Sequence, residues 1–319
     1  MKYWIRYFIS IVGLSMGFTL LLWYFSPTHY QKTTFYSPLP SFLTRAENEQ
    51  VSHLDLWLPQ LAQSLASEQI HLTAQSVLMF DLTTEKVLFE QEPKKRLPMA
   101  SLTKIMTAII ALENKKTDDK YTVVEEDLVG ENSMGLEHGE IVSLDDLLYG
   151  IFLLSANDAT EVIAHNFPGG RNAFIHAMNN KAQALGLTDT NFTNPSGLEG
   201  DGDQHTTAYD LLVMTRYLLD NYPKIITIAS SPEIDLPSTS HHKEYYFVNE
   251  TNLITSYPGV KGLKTGYTPE AGLCLVTYYE DNGHKIVGIL LGSENRRAEM
   301  KELLDYSLTS LSIKPPKHD

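Results

Sequence analysis

The chain has 319 residues, 43% of them hydrophobic, which suits one catalytic-size domain with extensions and a core that needs no disulfide or metal staple. Its formal net charge of −14 argues against a nucleic-acid or anionic-surface footprint. Cys274, the single cysteine, has no intramolecular partner, and in the apolar run GLCLVTYY it reads as a small buried hydrophobe.

Tyr7 to Phe25 is an uncharged, almost unbroken apolar run. At about 19 residues it suffices to cross a ~30 Å hydrocarbon core. Lys2 and Arg6 precede it, which places the N-terminus in the cytoplasm and the rest of the chain outside. Nothing resembling an A-x-A cleavage site follows, so residues 1–25 are expected to be an uncleaved transmembrane signal anchor, with the chain beyond it outside the cytoplasm. Residues 26–70, with Pro27, Pro38 and Pro40, read as a tether, with a short helix expected over Leu54 to Ile70. A catalytic domain is expected over 71–313, followed by a short tail, 314–319.

Within that domain, Gln75 to Phe80 and Lys86 to Glu90 flank a turn and predict a hairpin. Helical runs follow over Ser101 to Asn114, Ser143 to Leu154, Asn157 to Asn166, Arg171 to Leu185 and Thr207 to Leu219. Strands return at Val260 to Lys264, Gly272 to Tyr279 and Lys285 to Leu291, and a helix closes the domain from Glu294 to Leu311. Strands, a helical block, then strands predict an α+β fold with helices packed on an antiparallel sheet.

Three short words occur in order: Ser101-Leu-Thr-Lys104, Ser155-Ala-Asn157 and Lys264-Thr265-Gly266. Ser101 and Lys104 are one helical turn apart and share a face, above free backbone N–H groups and a positive dipole end. Together the words supply a nucleophile, a lysine base, a proton shuttle, a polar clamp and a carboxylate anchor, the kit for serine acyl transfer. Taken singly, each is more often a helix start, a cap or a strand end. Two decoys fail on context: Ser240-His-His-Lys243 lies in a Pro/Ser/His-rich loop, and Ser293-Glu-Asn295 falls after the lysine word.

At these residues the chain resembles the low-molecular-weight penicillin-binding proteins of the D-alanyl-D-alanine carboxypeptidase type, which implies a β-lactamase/transpeptidase-like fold. The likeness runs from about Ala74 to Leu311, through LPMASLTKIMTA, LLYGIFLLSANDAT, NPSGL, HTTAYDLLVMTRYLL and YPGVKGLKTGYTPEAGLCL. It implies that Ser101 attacks the penultimate D-alanine carbonyl of a peptidoglycan stem peptide, with Lys104 as base and Ser155 relaying the proton to the leaving amine. Asn157 would hold the substrate peptide group, and Lys264 and Thr265 the terminal carboxylate. Beside Gly266, the N–H groups of Ser101 and Tyr267 would form the oxyanion hole. β-Lactams would be covalent inhibitors, and no metal or organic cofactor is implied.

A D,D-endopeptidase cutting crosslinks is the nearest alternative, and the aspartate in SANDAT leans toward the carboxypeptidase branch. A class A β-lactamase needs an E-x-x-L-N word, which is missing. His205, the pair His241-His242 and Asp201-Gly-Asp203 lack the spacings of zinc peptidases and EF-hands and read as solvated loop. From another class, a non-catalytic sensor of peptidoglycan stems or β-lactams would be marked by a broken catalytic word, and all three are intact.

Overall fold

The computed structural model of the protein describes residues 57–59 and 70–318. The expected anchor, the tether and most of the Leu54 to Ile70 helix lie outside them; residues 57–59 are not helical. Among the described residues no helix is long and apolar enough to cross a membrane.

The elements begin with a hairpin of β1 (Ser76–Asp81) and β2 (Lys86–Gln91), then a 3-10 turn over Ala100–Thr103 that runs into α1 (Lys104–Glu113). A two-residue ladder, β3 (Tyr121–Thr122) with β4 (Ile141–Val142), precedes α2 (Leu144–Leu153), α3 (Asn157–His165), α4 (Gly170–Ala184) and α5 (Ala208–Asn221). Next come α6 (Lys224–Ser230), a second hairpin of β5 (Glu233–Leu236) and β6 (Tyr245–Val248), and a single turn, α7 (Leu253–Ser256). The chain closes with β7 (Val260–Thr268), β8 (Gly272–Asp281), β9 (His284–Ser293) and α8 (Arg296–Ser310).

Local chemistry sets several of these boundaries. Ser143 caps α2 by accepting from the Asp146 N–H at 3.1 Å, and Asp146 accepts from the Ser143 N–H in return, a reciprocal capping box. Thr207 caps α5 through the Asp210 N–H at 3.0 Å. The β8–β9 turn places Asn282 at φ 50° and Gly283 at φ 79°, the pair of left-handed conformations that a tight hairpin between right-twisted strands requires.

The main sheet has the order β2-β1-β9-β8-β7, with antiparallel neighbours throughout. Side chains alternate between its faces. Leu78, Phe80, Cys274, Val276, Tyr278, Val287 and Ile289 join the large core with α1 to α6. Val77, Met79, Leu275, Tyr279, Ile286 and Leu290 join a second core with Met300, Leu303, Leu304 and Leu308 of α8. Covered on both faces, the central strands read as continuous apolar runs. The expected α+β architecture is what the structure shows.

The structure corrects some expectations. The run from Ser101 opens as a 3-10 turn, and α1 starts at Lys104. Ala100 enters that turn at φ 47°, a conformation that breaks regular α-geometry. Lys104 to Ala111 are buried on every side, so α1 is a central helix with no solvent face. β7 continues past Lys264 to Thr268, because its pairing with β8 holds to Gly272. Asn157 is the first residue of α3, where the predicted helical run begins, and Ser155 lies in the α2–α3 loop just before it.

Leu304, on the face of α8 that packs against the sheet, is fully buried. Leu304→Ala is expected to cost about 2–5 kcal/mol in denaturant unfolding by removing buried methyls and leaving a cavity.

Candidate active site

Four elements converge on one cleft. Ser101 comes from the 3-10 turn, Ser155 from the α2–α3 loop, Asn157 from the start of α3, and Lys264 to Tyr267 from β7. β7 is an edge strand of the main sheet. A cleft of about 410 Å³ is lined by Ser101, Ser155, Asn157, Thr265, Gly266 and Tyr267, together with Arg296 and Glu250. All three words therefore meet.

Lys104 is fully buried. Its Nζ lies 2.9 Å from Ser101 Oγ, 2.6 Å from Asn157 Oδ1 and 2.6 Å from the Ser196 carbonyl oxygen. Asn157 donates its own Nδ2–H to the Glu131 carbonyl at 2.8 Å, which leaves Oδ1 to face the lysine. Two of the three neighbours of Nζ can therefore only accept. An ammonium would donate to all three oxygens; once neutral, the amine keeps its two N–H bonds to Asn157 and Ser196 and turns its lone pair toward the Ser101 hydroxyl.

Among the described residues neither Lys104 nor Lys264 has an ion-pair partner. Burial, and secondarily the charge of Lys264, hold the Lys104 pKa well below that of an ordinary lysine. Lys264 is also fully buried. Its Nζ donates to Ser155 Oγ and to the Thr265 carbonyl, both at 2.8 Å. Burial pulls its pKa down to about 7, with Glu250 opposing and Arg296 adding to the shift.

Tight packing fixes the nucleophile. A Cβ on Gly197, which sits at φ 90°, would meet the Ala100 carbonyl oxygen at 2.0 Å and the Ser101 nitrogen at 2.9 Å. Across the cleft, a Cβ on Gly266 would lie 3.1 Å from the Ser101 nitrogen. Only glycine lets both backbones approach the turn so closely. The Gly197 loop is anchored in turn: Asn194 Oδ1 accepts from the Gly197 N–H at 2.7 Å, and Thr107 Oγ1 donates to the Pro195 carbonyl at 2.6 Å.

Asn157 is fixed from its other side. Its N–H donates to the Asn132 carbonyl at 2.6 Å. Glu131 and Asn132 sit at φ 59° and 44°, two consecutive left-handed residues, and Ser155 at φ 58° is a third strained position in the same wall. The neighbouring carboxylate, Asp158, accepts from Ser133 Oγ and from the N–H groups of Met134, Gly135 and Leu136 at 2.5–3.2 Å. It nails that loop to α3.

Residues 62–295 match the S11 peptidase family, described as D-alanyl-D-alanine carboxypeptidase. The chain belongs to this family. A D-alanyl-D-alanine carboxypeptidase of Bacillus subtilis is 33% identical over 258 residues, covering 78% of this chain and 65% of the relative, so the chain spans just under two thirds of that protein. A D-alanyl-D-alanine endopeptidase of Pseudomonas aeruginosa is 35% identical over 65% of this chain and 67% of its own length. Among solved structures, penicillin-binding protein D2 of Listeria monocytogenes, in a cefotaxime-bound form, superposes with a TM-score of 0.66 at 28% identity, covering 76% of this chain and all of that one. The fold is thus that of the penicillin-binding D,D-peptidases.

All the predicted site residues gather in the cleft or directly behind it. The decoys do not: Ser240 lies exposed between β5 and β6, and Asn295 caps α8 by accepting from the Ala298 N–H. Asp201 and Asp203 are exposed and pair with Arg171 and His205. Among the described residues no group of acidic, histidine or cysteine side chains could hold a metal. Burial pushes the Cys274 thiol up to about 11, consistent with an unreactive core residue.

Sequence reasoning missed Arg296 and the Ser196 carbonyl. Arg296 donates Nη1–H to the Gly266 carbonyl at 2.6 Å and brings a second cation, beside Lys264, to the cleft from the start of α8. Ser196 and Gly197 lie within the NPSGL run, where only the run's closeness to Ser101 in space reveals their purpose.

Gly197→Ala is expected to displace the Ser101 turn while the protein stays folded by circular dichroism. Acylation of Ser101 by an activated ester, read by mass spectrometry, should fall at least about tenfold, since misplacing a reacting atom by an ångström costs that or more.

Proposed function

We propose that this protein is a serine D,D-carboxypeptidase that releases the terminal D-alanine of peptidoglycan stem pentapeptides through an acyl-enzyme on Ser101. The observation that carries this reading is the buried Lys104 amine, held by two obligate acceptors with its remaining valence toward Ser101 Oγ.

Neutral Lys104 takes the Ser101 proton as Oγ attacks the penultimate D-alanine carbonyl. The oxyanion develops against the N–H groups of Ser101 and Tyr267, in a site where one such donor is worth ~10²–10³ in rate. Ser155, polarised by Lys264 at 2.8 Å, relays the proton from the Lys104 ammonium to the leaving nitrogen. The C–N bond breaks, D-alanine departs, and an ester on Ser101 remains. Water then gives a proton to Lys104 and attacks that ester, and Ser101 Oγ recovers the proton as it leaves. Asn157 holds the peptide group of the substrate, and Lys264, Thr265 and Arg296 form the cationic end that receives the terminal carboxylate.

A β-lactam would open on Ser101 by the same attack, a reading supported by the cefotaxime-bound form of the Listeria protein. The Pseudomonas relative supports a second reading, a D,D-endopeptidase, because a crosslink presents the same D-alanyl carbonyl. The charge-free run from Tyr7 to Phe25 supports tethering to the cytoplasmic membrane with the catalytic domain outside. Protease digestion of intact spheroplasts should then degrade the catalytic domain, and its survival there would overturn that placement.

Mass spectrometry on pentapeptide monomers and D,D-crosslinked dimers decides among the hydrolase readings. Loss of one D-alanine from monomers, abolished in Ser101→Ala, is expected. Splitting of dimers with monomers untouched would assign the endopeptidase, and no change in either would overturn both.

The Lys264 charge sets a pH dependence. With its pKa lowered to about 7, Lys264 is cationic below that pH and neutral above it, so its grip on a carboxylate weakens as pH rises. KM for a pentapeptide is expected to increase severalfold between about pH 6.5 and 8.5, while a substrate with a C-terminal amide shows no such rise.

A further inference from the structure

The catalytic cleft continues into a second cavity of about 670 Å³, lined by Val129, Glu131, Glu199, Tyr267, Thr268 and Pro269 among others. Glu131, Leu198, Tyr267 and Thr268 belong to both spaces. The direction of β7 tells which part of a substrate enters it. Thr265 and Arg296 mark the end that receives the terminal carboxylate, and Gly266 abuts the Ser101 nitrogen. An extended acyl chain laid along this edge leaves the cleft past Tyr267 and Thr268. At ~3.3 Å per residue, the residue preceding the scissile D-alanine, the third of the stem, falls beside the second cavity.

Two carboxylates stand at that position. Glu131 is exposed, and its carboxylate has no hydrogen-bond or ion-pair partner among the described residues. Its backbone is held at φ 59° by the Asn157 bond to its carbonyl, so its place depends on the clamp residue of the active site. Glu199 reaches across from the other wall, where its Oε1 accepts from the Glu270 N–H at 2.8 Å just after β7. Tyr267, 61% exposed, lines the same cavity. The cleft is thus dipolar: Lys264 and Arg296 at one end, partly offset by Glu250 on the rim, and Glu131 and Glu199 at the other.

We propose that the cavity between Glu131 and Glu199 is a subsite for the third residue of the stem peptide, selecting a side chain that ends in a free, cationic amine. This rests on the acyl-transfer reading of Ser101 and narrows its substrate. A stem whose side-chain amine is already acylated in a crosslink has lost the cation, so the subsite favours uncrosslinked strands.

The test uses the full-length chain and three pentapeptides, L-Ala-γ-D-Glu-X-D-Ala-D-Ala, with X as L-lysine, Nε-acetyl-L-lysine or L-norleucine. D-Alanine release should show kcat/KM for the lysine peptide about three- to tenfold above both neutral ones, the range expected of solvent-accessible ion pairs. The advantage should shrink as salt rises. Glu131→Gln and Glu199→Gln should each compress the ratio, and the double variant should bring it to about one. Equal kcat/KM for the three peptides, or a ratio indifferent to both substitutions, would overturn the subsite.

The same ranking is read without turnover as protection of Ser101 against acylation by a fluorescent penicillin. Absence of D-alanine release alongside lysine-selective protection would overturn the carboxypeptidase reading and keep the subsite. Equal protection by all three peptides would remove the subsite.

Discussion

The structure depends on keeping an amine without a counter-ion in a dry place. Lys104 is buried beneath Ser101, bonded only to oxygens that carry no net charge, and this withholds the proton that bulk water would give it. Each part of the surroundings serves that condition. Helix α1 is enclosed on all sides from Lys104 to Ala111, the Ser196 carbonyl arrives on a loop bonded to α1, and Asn157 comes from the adjoining helix. A single carboxylate in contact with Nζ would hold the proton on nitrogen and remove the base. The acidic groups that act on Lys104, namely Glu161, Asp158 and Glu250, do so only through space.

Holding such a site open is costly, and the cost is met by packing. Ala100, Ser155, Glu131 and Asn132 all have positive φ, and conformations of this kind cost on the order of 1–3 kcal/mol each. They survive because independent contacts over-determine them. Gly197 and Gly266 close on the Ser101 turn from two sides, and Asp158 ties loop Ser133 to Leu136 to the helix that starts with Asn157. Activity and stability are therefore pulled in opposite directions at the same residues, as is common where a functional geometry is held against local preference.

Much of this was legible in the sequence because it is local. The three words each keep a fixed internal spacing, and their backbone context separates them from Ser240 and Ser293. The unbroken apolar runs of β1, β8 and β9 announce a sheet covered on both sides. What escaped detection was not local. Arg296 approaches Gly266 from an element that follows the lysine word by some thirty positions, and nothing in its own neighbourhood marks it. Ser196 contributes a carbonyl, which every residue type has. The two-residue pairing of β3 with β4 and the β5–β6 hairpin were invisible for another reason: short ladders carry too few alternating side chains to show a period. The 3-10 geometry at Ser101 is likewise set from outside, by glycines distant in sequence pressing on the turn.

The catalytic words and the substrate choice lie on different parts of the fold. Ser101, Lys104, Ser155 and Lys264 are fixed by buried contacts whose chemistry is nearly independent of which stem arrives. Glu131 and Glu199, by contrast, come from loops at the surface, where a substitution disturbs no core. The net charge of −14 adds a diffuse preference for cationic ligands, but at physiological salt such a field is screened within about 8 Å. Discrimination between a free and an acylated amine must then come from carboxylates at the site itself. The strained backbone at Glu131 matters in this light: because Asn157 holds its carbonyl, the residue that clamps the scissile peptide also places the charge that reads the neighbouring residue. Positioning for catalysis and selection of the strand are coupled through one side-chain amide.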